Sequence, residues 1–474
     1  MDKINYSAVV SGSEQTDAHM RDRGERVLRL EGVKRALLCA LVTASMIALA
    51  AGSTLSVGGD GSQTAKETAL ASEDDAQHDW TIAMYWASDN NLDEYTEPVI
   101  RLWRESLTNT EDISLCVFID RLELPANIST VTEDGWVEKA SLGEVNSSSP
   151  DTLAMFIEYA LTEPSMASDN FMLIIQDHGN GYLGLCSDEG LPDSDLAKAW
   201  MSIDDLGVGI RAGTEAADKE IDIVALDACT LATVEIAYEL RGVAPYLVAS
   251  ELGVPFDGLN YMAMLSGLSE DPTIAPLDLA CKLVDDYAEW YSAPLGTYPT
   301  LYPYMQDFAS LSVIDLGALD QLVGAFVSFK DAVTPKDNAL GKLLKTAAME
   351  ADPAIWLNNM GVWTYPDIRT MFTILGESTR EAYPEVAAAC DALVDAADIV
   401  IIHDWASWRM KGVPTGLSVY VCPSIGSFTV NWDTMDRDYD GVGLDFVEDS
   451  EWDVVLKEYF YTLKQYGNAP TNAK

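Results

Sequence analysis

The stretch FMLIIQDHGNG (Phe171–Gly181) decides how this chain is read. A continuous apolar run of strand length ends in Asp177, and immediately beyond it stands His178, one of only four histidines in 474 residues. An unbroken apolar strand, unlike an alternating one, is expected to be buried on both faces, as in a parallel sheet covered by helices. Gly179 and Gly181 then allow close backbone approach and dihedrals that other residues avoid.

Runs of the same kind lie to either side. WTIAMYWAS (80–88), ISLCVFID (113–120), IDIVALDA (221–228) and YLVASE (246–251) read as strands, with amphipathic helices over 151–163 and 233–242 between them. The alternation predicts an α/β fold with a mostly parallel sheet flanked by helices and right-handed crossovers. Functional groups are then expected at the C-terminal edge of the strands. Beyond about residue 265 the pattern changes to helix-like segments at 276–292, 317–333, 338–350 and 379–400. One clear strand, GLSVYV (416–421), and a late helix over 451–463 follow. The expected division is a catalytic domain over 80–265 and a helix-rich C-terminal region over 266–474 that packs on it or extends it. His403, in VIIHDW (400–405), reads as a satisfied histidine at a strand or helix end.

The N-terminus reads differently. Residues 1–35 are a charged segment. Lys34 and Arg35 then precede the uncharged ALLCALVTASMIALAA (36–51), which ends in an A-x-A pattern at Ala48–Ala50. That is the arrangement of a signal peptide or signal anchor, followed by a polar linker over 52–79. The expectation is a secreted or cell-surface protein that touches membrane only through an uncleaved N-terminal segment. The net charge of −47 repels nucleic acid and anionic lipid and favours cationic partners or metal ions. Six cysteines follow residue 50 (Cys116, Cys186, Cys229, Cys281, Cys390 and Cys422), too sparse and too irregular for a disulfide framework.

Cys229 stands apart from the others. IDIVALDACT (221–230) ends in the same manner as the His178 strand, with the cysteine just past the last apolar residue and at the expected start of a helix. Adjacent strands lie about 4.8 Å apart, so two successive strand ends would place a thiol and an imidazole over one groove. A helix N-terminus lowers a thiol pKa. The imidazole can move the proton to a leaving amine, and the Gly179 and Cys229 N–H groups could form an oxyanion hole. A lone buried cysteine or a lone turn histidine is the simpler structural reading of each. Their conjunction, about 50 residues apart as in caspases, favours a nucleophile and its base.

DHGNGY (177–182) together with IDIVALDACTLATVEIAYEL (221–240) resembles the clostripain family of cysteine peptidases, which has the caspase–haemoglobinase fold. WTIAMYWASDNNLDEY (80–95), VASELGVPFDGLNY (248–261), LSVIDL (311–316) and GLSVYVCP (416–423) resemble further segments of it. The chain departs from the family pattern at Thr230-Leu231, Tyr182 and Leu259-Asn260, which bears on groove shape. The resemblance implies an exported endopeptidase that uses a His178–Cys229 dyad and a thioester acyl-enzyme. It also implies that Asp227, two residues before the nucleophile, lies in S1 and selects Arg or Lys, with Glu251 as a second wall residue. Asp227 as a helix cap is the competing reading. Maturation by cleavage between the His and Cys strands is implied as well. In that connection (185–220) the basic residues are Lys198, Arg211 and Lys219, and self-cleavage is expected after Lys198.

No cofactor is required by this chemistry. DRDYDG (436–441) resembles the opening of a calcium loop through Asp436, Asp438 and Asp440. Its twelfth position, however, is Val447, with Glu448 one residue late, so calcium and a plain solvated turn both stay open there. A catalytically idle caspase-fold module binding at the cell surface, and a transpeptidase using the same thioester, are the alternative functions.

Overall fold

The computed structural model describes residues 78–132, 135–190, 200–294, 308–334, 336–352, 365–407, 415–421 and 443–460, with Met410 and Tyr439. The expectations placed on residues 1–77, Lys198, Cys422, Asp436, Asp438 and Asp440 lie outside the described residues.

The strands in chain order are β1 (His78–Ser88), β2 (Ile113–Arg121), β3 (Leu124–Thr132), β4 (Gly135–Gly143), β5 (Ser168–Gln176), β6 (Leu185–Ser187), β7 (Trp200–Met201), β8 (Ile223–Asp227), β9 (Tyr246–Ala249), β10 (Ser310–Asp315) and β11 (Ile401–Ala406). Nine of them form one sheet in the order β11-β10-β9-β8-β5-β1-β2-β3-β4, and β6 and β7 form a second, two-stranded one. The central strands β9, β8, β5, β1 and β2 are parallel. These are the apolar runs of the sequence, and β1 is buried without interruption from Trp80 to Ser88. Antiparallel strands finish both edges.

Helices cover both faces. The helices α1 (Asp93–Ser106), α2 (Pro150–Thr162), α3 (Ile203–Ala217), α4 (Val234–Glu239), α5 (Tyr261–Glu270) and α6 (Pro276–Ser292) connect the strands up to β10. On one face Trp103 of α1, Leu265 of α5 and Tyr287 of α6 join Trp80, Ile82, Met84 and Ile174 in a single core. On the other, Phe156 of α2 meets the stacked rings of Tyr85 and Phe118. Burial of this much apolar surface, at about 25 cal/mol per Å², is the main force holding sheet and helices together.

The later half of the chain extends the same sheet through β10 and β11 and adds α7 (Leu319–Val333), α8 (Asn338–Glu350), α9 (Ile368–Thr379), α10 (Pro384–Val400) and α11 (Asp445–Ser450). The helix expected over 379–400 begins only at Pro384, and Thr379 closes the helix before it. Pro384 sets its first turn, and the residue before a proline is disfavoured in helical conformation. GLSVYV is not a ladder strand. Ser418 bridges Thr233 on one side and Asp367 on the other, so this segment runs beside the loop that follows β8. His403 falls within β11 and its Nε2 lies 2.8 Å from Asp285 Oδ1. Cys116, Cys186, Cys229, Cys281 and Cys390 are all unpaired.

Candidate active site

β5 and β8 run in parallel with Gln176 opposite Asp227. Two residues further along each strand stand His178 and Cys229, so the register brings the expected pair to the same level of the C-terminal edge. The backbones approach closely there. A methyl group on Gly179 would lie 2.2 Å from the Cys229 carbonyl oxygen and 3.0 Å from its nitrogen, so no other residue fits without parting the two strand ends. Both N–H groups lie past the ends of their strands, and neither donates to a loop carbonyl among the described residues. Two adjacent donors without a partner are what an oxyanion hole requires.

The loop after β5 is held from three sides. Asp177 is buried, and its carboxylate accepts from Asn90 Nδ2 at 2.7 Å and from the Ser187 N–H. His178 Nε2 lies 2.9 Å from Asn91 Oδ1. An imidazole that donates from Nε2 carries its lone pair on Nδ1, the form a general base needs. Gly181, at φ +57°, lies against the Tyr365 hydroxyl, which accepts from the Tyr182 N–H at 3.0 Å. The Tyr182 ring then packs on Tyr420 and Tyr439. Buried Glu235 in α4 accepts from the Tyr420 N–H and the Tyr439 hydroxyl. The C-terminal half of the chain thereby braces the histidine loop.

Cys229 is not at a helix start. α4 begins at Val234 and is capped by Thr233, whose side chain accepts from Ile236 N–H. In between, Thr230 adopts φ +60°, a left-handed conformation that costs a β-branched residue about 1–3 kcal/mol. This turn sends the Thr230 N–H to Leu252 O, and those of Leu231 and Ala232 to Ser250 O. The donors that a helix would have aimed at the sulfur are spent on the loop after β9. The thiol instead meets Val254, whose N–H lies 3.4 Å from Sγ. Burial pushes the Cys229 thiol up and lowers His178, with Glu189 partly opposing the latter. Both shifts favour the uncharged form of the group concerned.

Asp227 does not cap α4. Its Oδ2 accepts from the Tyr261 hydroxyl and from the Leu259 N–H at 3.3 Å, while Oδ1 has no partner among the described residues. The Tyr287 hydroxyl, also buried, has none either. Tyr291 donates to Gly258 O at 2.7 Å and closes the ring of phenols. Burial raises Asp227 to about 6, against the lowering effect of the Tyr261 and Leu259 hydrogen bonds. Glu251, expected as a second wall of this pocket, is engaged elsewhere. It accepts from Gly416 N–H at 2.8 Å and shares its surroundings with Asp367, which holds Thr415. Burial and the Asp367 charge keep Glu251 well above the usual carboxylate range. It is a tether for the segment at Thr415 and Gly416.

Asn91, Val254 and the three tyrosines around Asp227 were not singled out in the sequence as site residues. Asn91 carried the clearest signal, since it follows β1 at the same strand edge.

A profile of the clostripain family matches residues 84–459. The chain belongs to the clostripain family. Clostripain-family structures share its architecture. A secreted C11 cysteine protease from Bacteroides thetaiotaomicron, solved with an irreversible peptide inhibitor, superposes with a TM-score of 0.57 at 17% identity, covering 79% of this chain and 99% of that one. An inactive zymogen C11 protease from Parabacteroides distasonis gives 0.55 at 17% identity, covering 79% and 98%. No curated protein sequence matches the chain. Membership of the clostripain family makes this a cysteine peptidase fold whose substrates are peptides or proteins. No helix among the described residues is long and apolar enough to cross a membrane.

Proposed function

We propose that the protein is an exported endopeptidase that cleaves after Arg or Lys. Cys229 is its nucleophile, His178 its proton carrier, and the Gly179 and Cys229 N–H groups its oxyanion donors. The observation that carries this reading is the shared register of His178 and Cys229 at adjacent ends of β5 and β8. Imidazole removes the thiol proton as sulfur attacks the scissile carbonyl, and the two N–H groups receive the oxyanion. The imidazolium then protonates the departing amine, and water hydrolyses the thioester. Burial that disfavours both the thiolate and the imidazolium favours proton transfer during attack rather than before it. Asp227 Oδ1 and the Tyr287 hydroxyl are buried without partners among the described residues, which suits a guanidinium or ammonium group. Export rests on the apolar segment 36–51, and processing after Lys198 on its place between the two strands.

The test is hydrolysis of matched fluorogenic peptides with Arg, Lys, Leu or Asp at P1. Arg and Lys are expected to be preferred by about a hundredfold or more. Acidification should erode that preference. Asp227 titrates near pH 6 in the free protein, so below that value its carboxyl is neutral and no longer attracts a cation. kcat/KM for the Arg peptide should therefore fall more steeply with acid than that for the Leu peptide. Parallel pH profiles, or a preference for Leu or Asp, would remove Asp227 from S1 and leave the dyad in place. Lys198→Ala is expected to stop separation into two fragments, and a variant that still yields the same pair refutes that cleavage site.

A further inference from the structure

The loop after Cys229 is gripped by two segments from elsewhere in the chain. On one side Leu252 O accepts from the Thr230 N–H, and Ser250 O from those of Leu231 and Ala232. Further along the same segment the Val254 N–H reaches Sγ of Cys229. On the other side the Ser418 N–H and hydroxyl both donate to Ala232 O at 3.0 Å, and Ser418 O accepts from the Val234 N–H. Glu251 ties the two segments together. It stands between Ser250 and Leu252, and its Oε2 accepts from the N–H of Gly416, two residues before Ser418.

Glu251 is buried, and so is Asp367, the N-cap of α9. The two side chains are hydrogen-bonded to each other, and two carboxyl groups can make that bond only through a proton. Their other partners decide which of them carries it. Asp367 Oδ1 accepts from the Thr370 N–H at 2.7 Å and Oδ2 from the Thr415 N–H at 2.8 Å, with the Thr415 hydroxyl 2.9 and 2.8 Å from the two oxygens. Such donors favour the ionised form. Glu251 Oε1, by contrast, receives no donor among the described residues. The proton therefore belongs on Glu251 Oε1, which donates it to Asp367. The charges around the pair reinforce this. The Asp404 carboxylate in β11 adds to the repulsion that an ionised Glu251 would meet. Arg369, which could have offset it, is matched by Asp398 and Asp404. His403 is engaged by Asp285, and Glu235 of α4 by Tyr420 and Tyr439.

We propose that Glu251 is a positioning residue for Cys229 and acts in its protonated form, joining the loop after β9 to Asp367 and Gly416 so that Thr230–Val234 is held from both sides. The inference rests on Cys229 being the nucleophile. Loss of the proton would leave two buried negative charges against each other. The segment at Gly416 would then be released, and with it the hold of Ser418 on Ala232. The left-handed turn at Thr230 is kept in place by the same set of bonds.

Glu251→Gln separates the proton from the shape. Its amide oxygen can accept from Gly416 and its N–H groups can donate to Asp367, with nothing to titrate. In the parent, a carboxyl that ionises above its ordinary value of 4.5 keeps a proton that the unfolded chain has given up, so folding loses stability as pH rises above that value. Relative to Glu251→Gln, the unfolding constant of the parent should therefore grow about tenfold per pH unit between about pH 5 and pH 7. Denaturant unfolding of the full chain, with Cys229→Ala in both proteins to prevent self-digestion, measures it. In the active chain Glu251→Ala should lower kcat for the best peptide about tenfold with KM nearly unchanged, and Glu251→Gln should restore it. If the alanine variant does not fold, kcat of the parent should fall at alkaline pH before that of Glu251→Gln. Parallel stability profiles overturn the shared proton. Undiminished kcat in Glu251→Ala, no restoration by Glu251→Gln, or identical alkaline limbs overturn the positioning role. Absence of hydrolysis by the parent strikes the peptidase reading and the positioning role together, whereas the unfolding profiles test the shared proton without any substrate.

Discussion

Cys229→Ala is expected to lower kcat/KM toward the best basic-P1 peptide by roughly 10⁴-fold or more, and His178→Ala by a comparable factor. The double variant should be hardly worse than either single one. A nucleophile and its base act as a unit, so removing the second has little left to remove. Here the argument is sharper than for a preformed ion pair. Burial pushes the thiol up and the imidazole down, so without His178 nothing draws the proton from sulfur at neutral pH. Single-turnover kinetics with the three variants, alongside unfolding curves to show that each is folded, would measure the effect. Retention of a tenth of the activity in either single variant would sink the dyad and favour a surface module that merely keeps the fold.

Much of this site was legible in the sequence because it lies where strands end. The apolar runs that became β1, β2, β5, β8 and β9 are buried on both faces, and such runs announce both their length and their end. His178 and Cys229 each follow one of them directly. Whatever depends on tertiary contact was not legible. β4 is a half-exposed edge strand that mixes polar and apolar residues without a clean alternation, and β3 joins the sheet only by lying between it and β2. The helix expected at Cys229 failed because Thr230 takes a left-handed turn to meet the loop after β9, a bond whose partner lies some twenty residues further along. Glu251 carries the same lesson, since its role depends on Gly416 and Asp367 from the far half of the chain.

The second large effect concerns Asp227. Asp227→Asn is expected to reduce kcat/KM for Arg and Lys peptides by about a thousandfold, the consequence of losing about 4 kcal/mol when one partner of a buried charge pair is removed. The same change should leave a Leu peptide within about threefold of its original rate, because an uncharged P1 gains nothing from the carboxylate. The separation is clean for a structural reason. Asp227 already has its Oδ2 satisfied by Tyr261 and Leu259, and asparagine can retain an oxygen there. The atom that changes character is the unpartnered one, and it turns from acceptor into donor, so a guanidinium now meets N–H groups. Loss spread equally over Arg, Lys and Leu peptides would show instead that Asp227 supports the Cys229 strand end rather than selecting the substrate. Loss confined to basic peptides, together with pH profiles for Arg and Leu that become parallel in the variant, would tie the titration near pH 6 to this one carboxyl group.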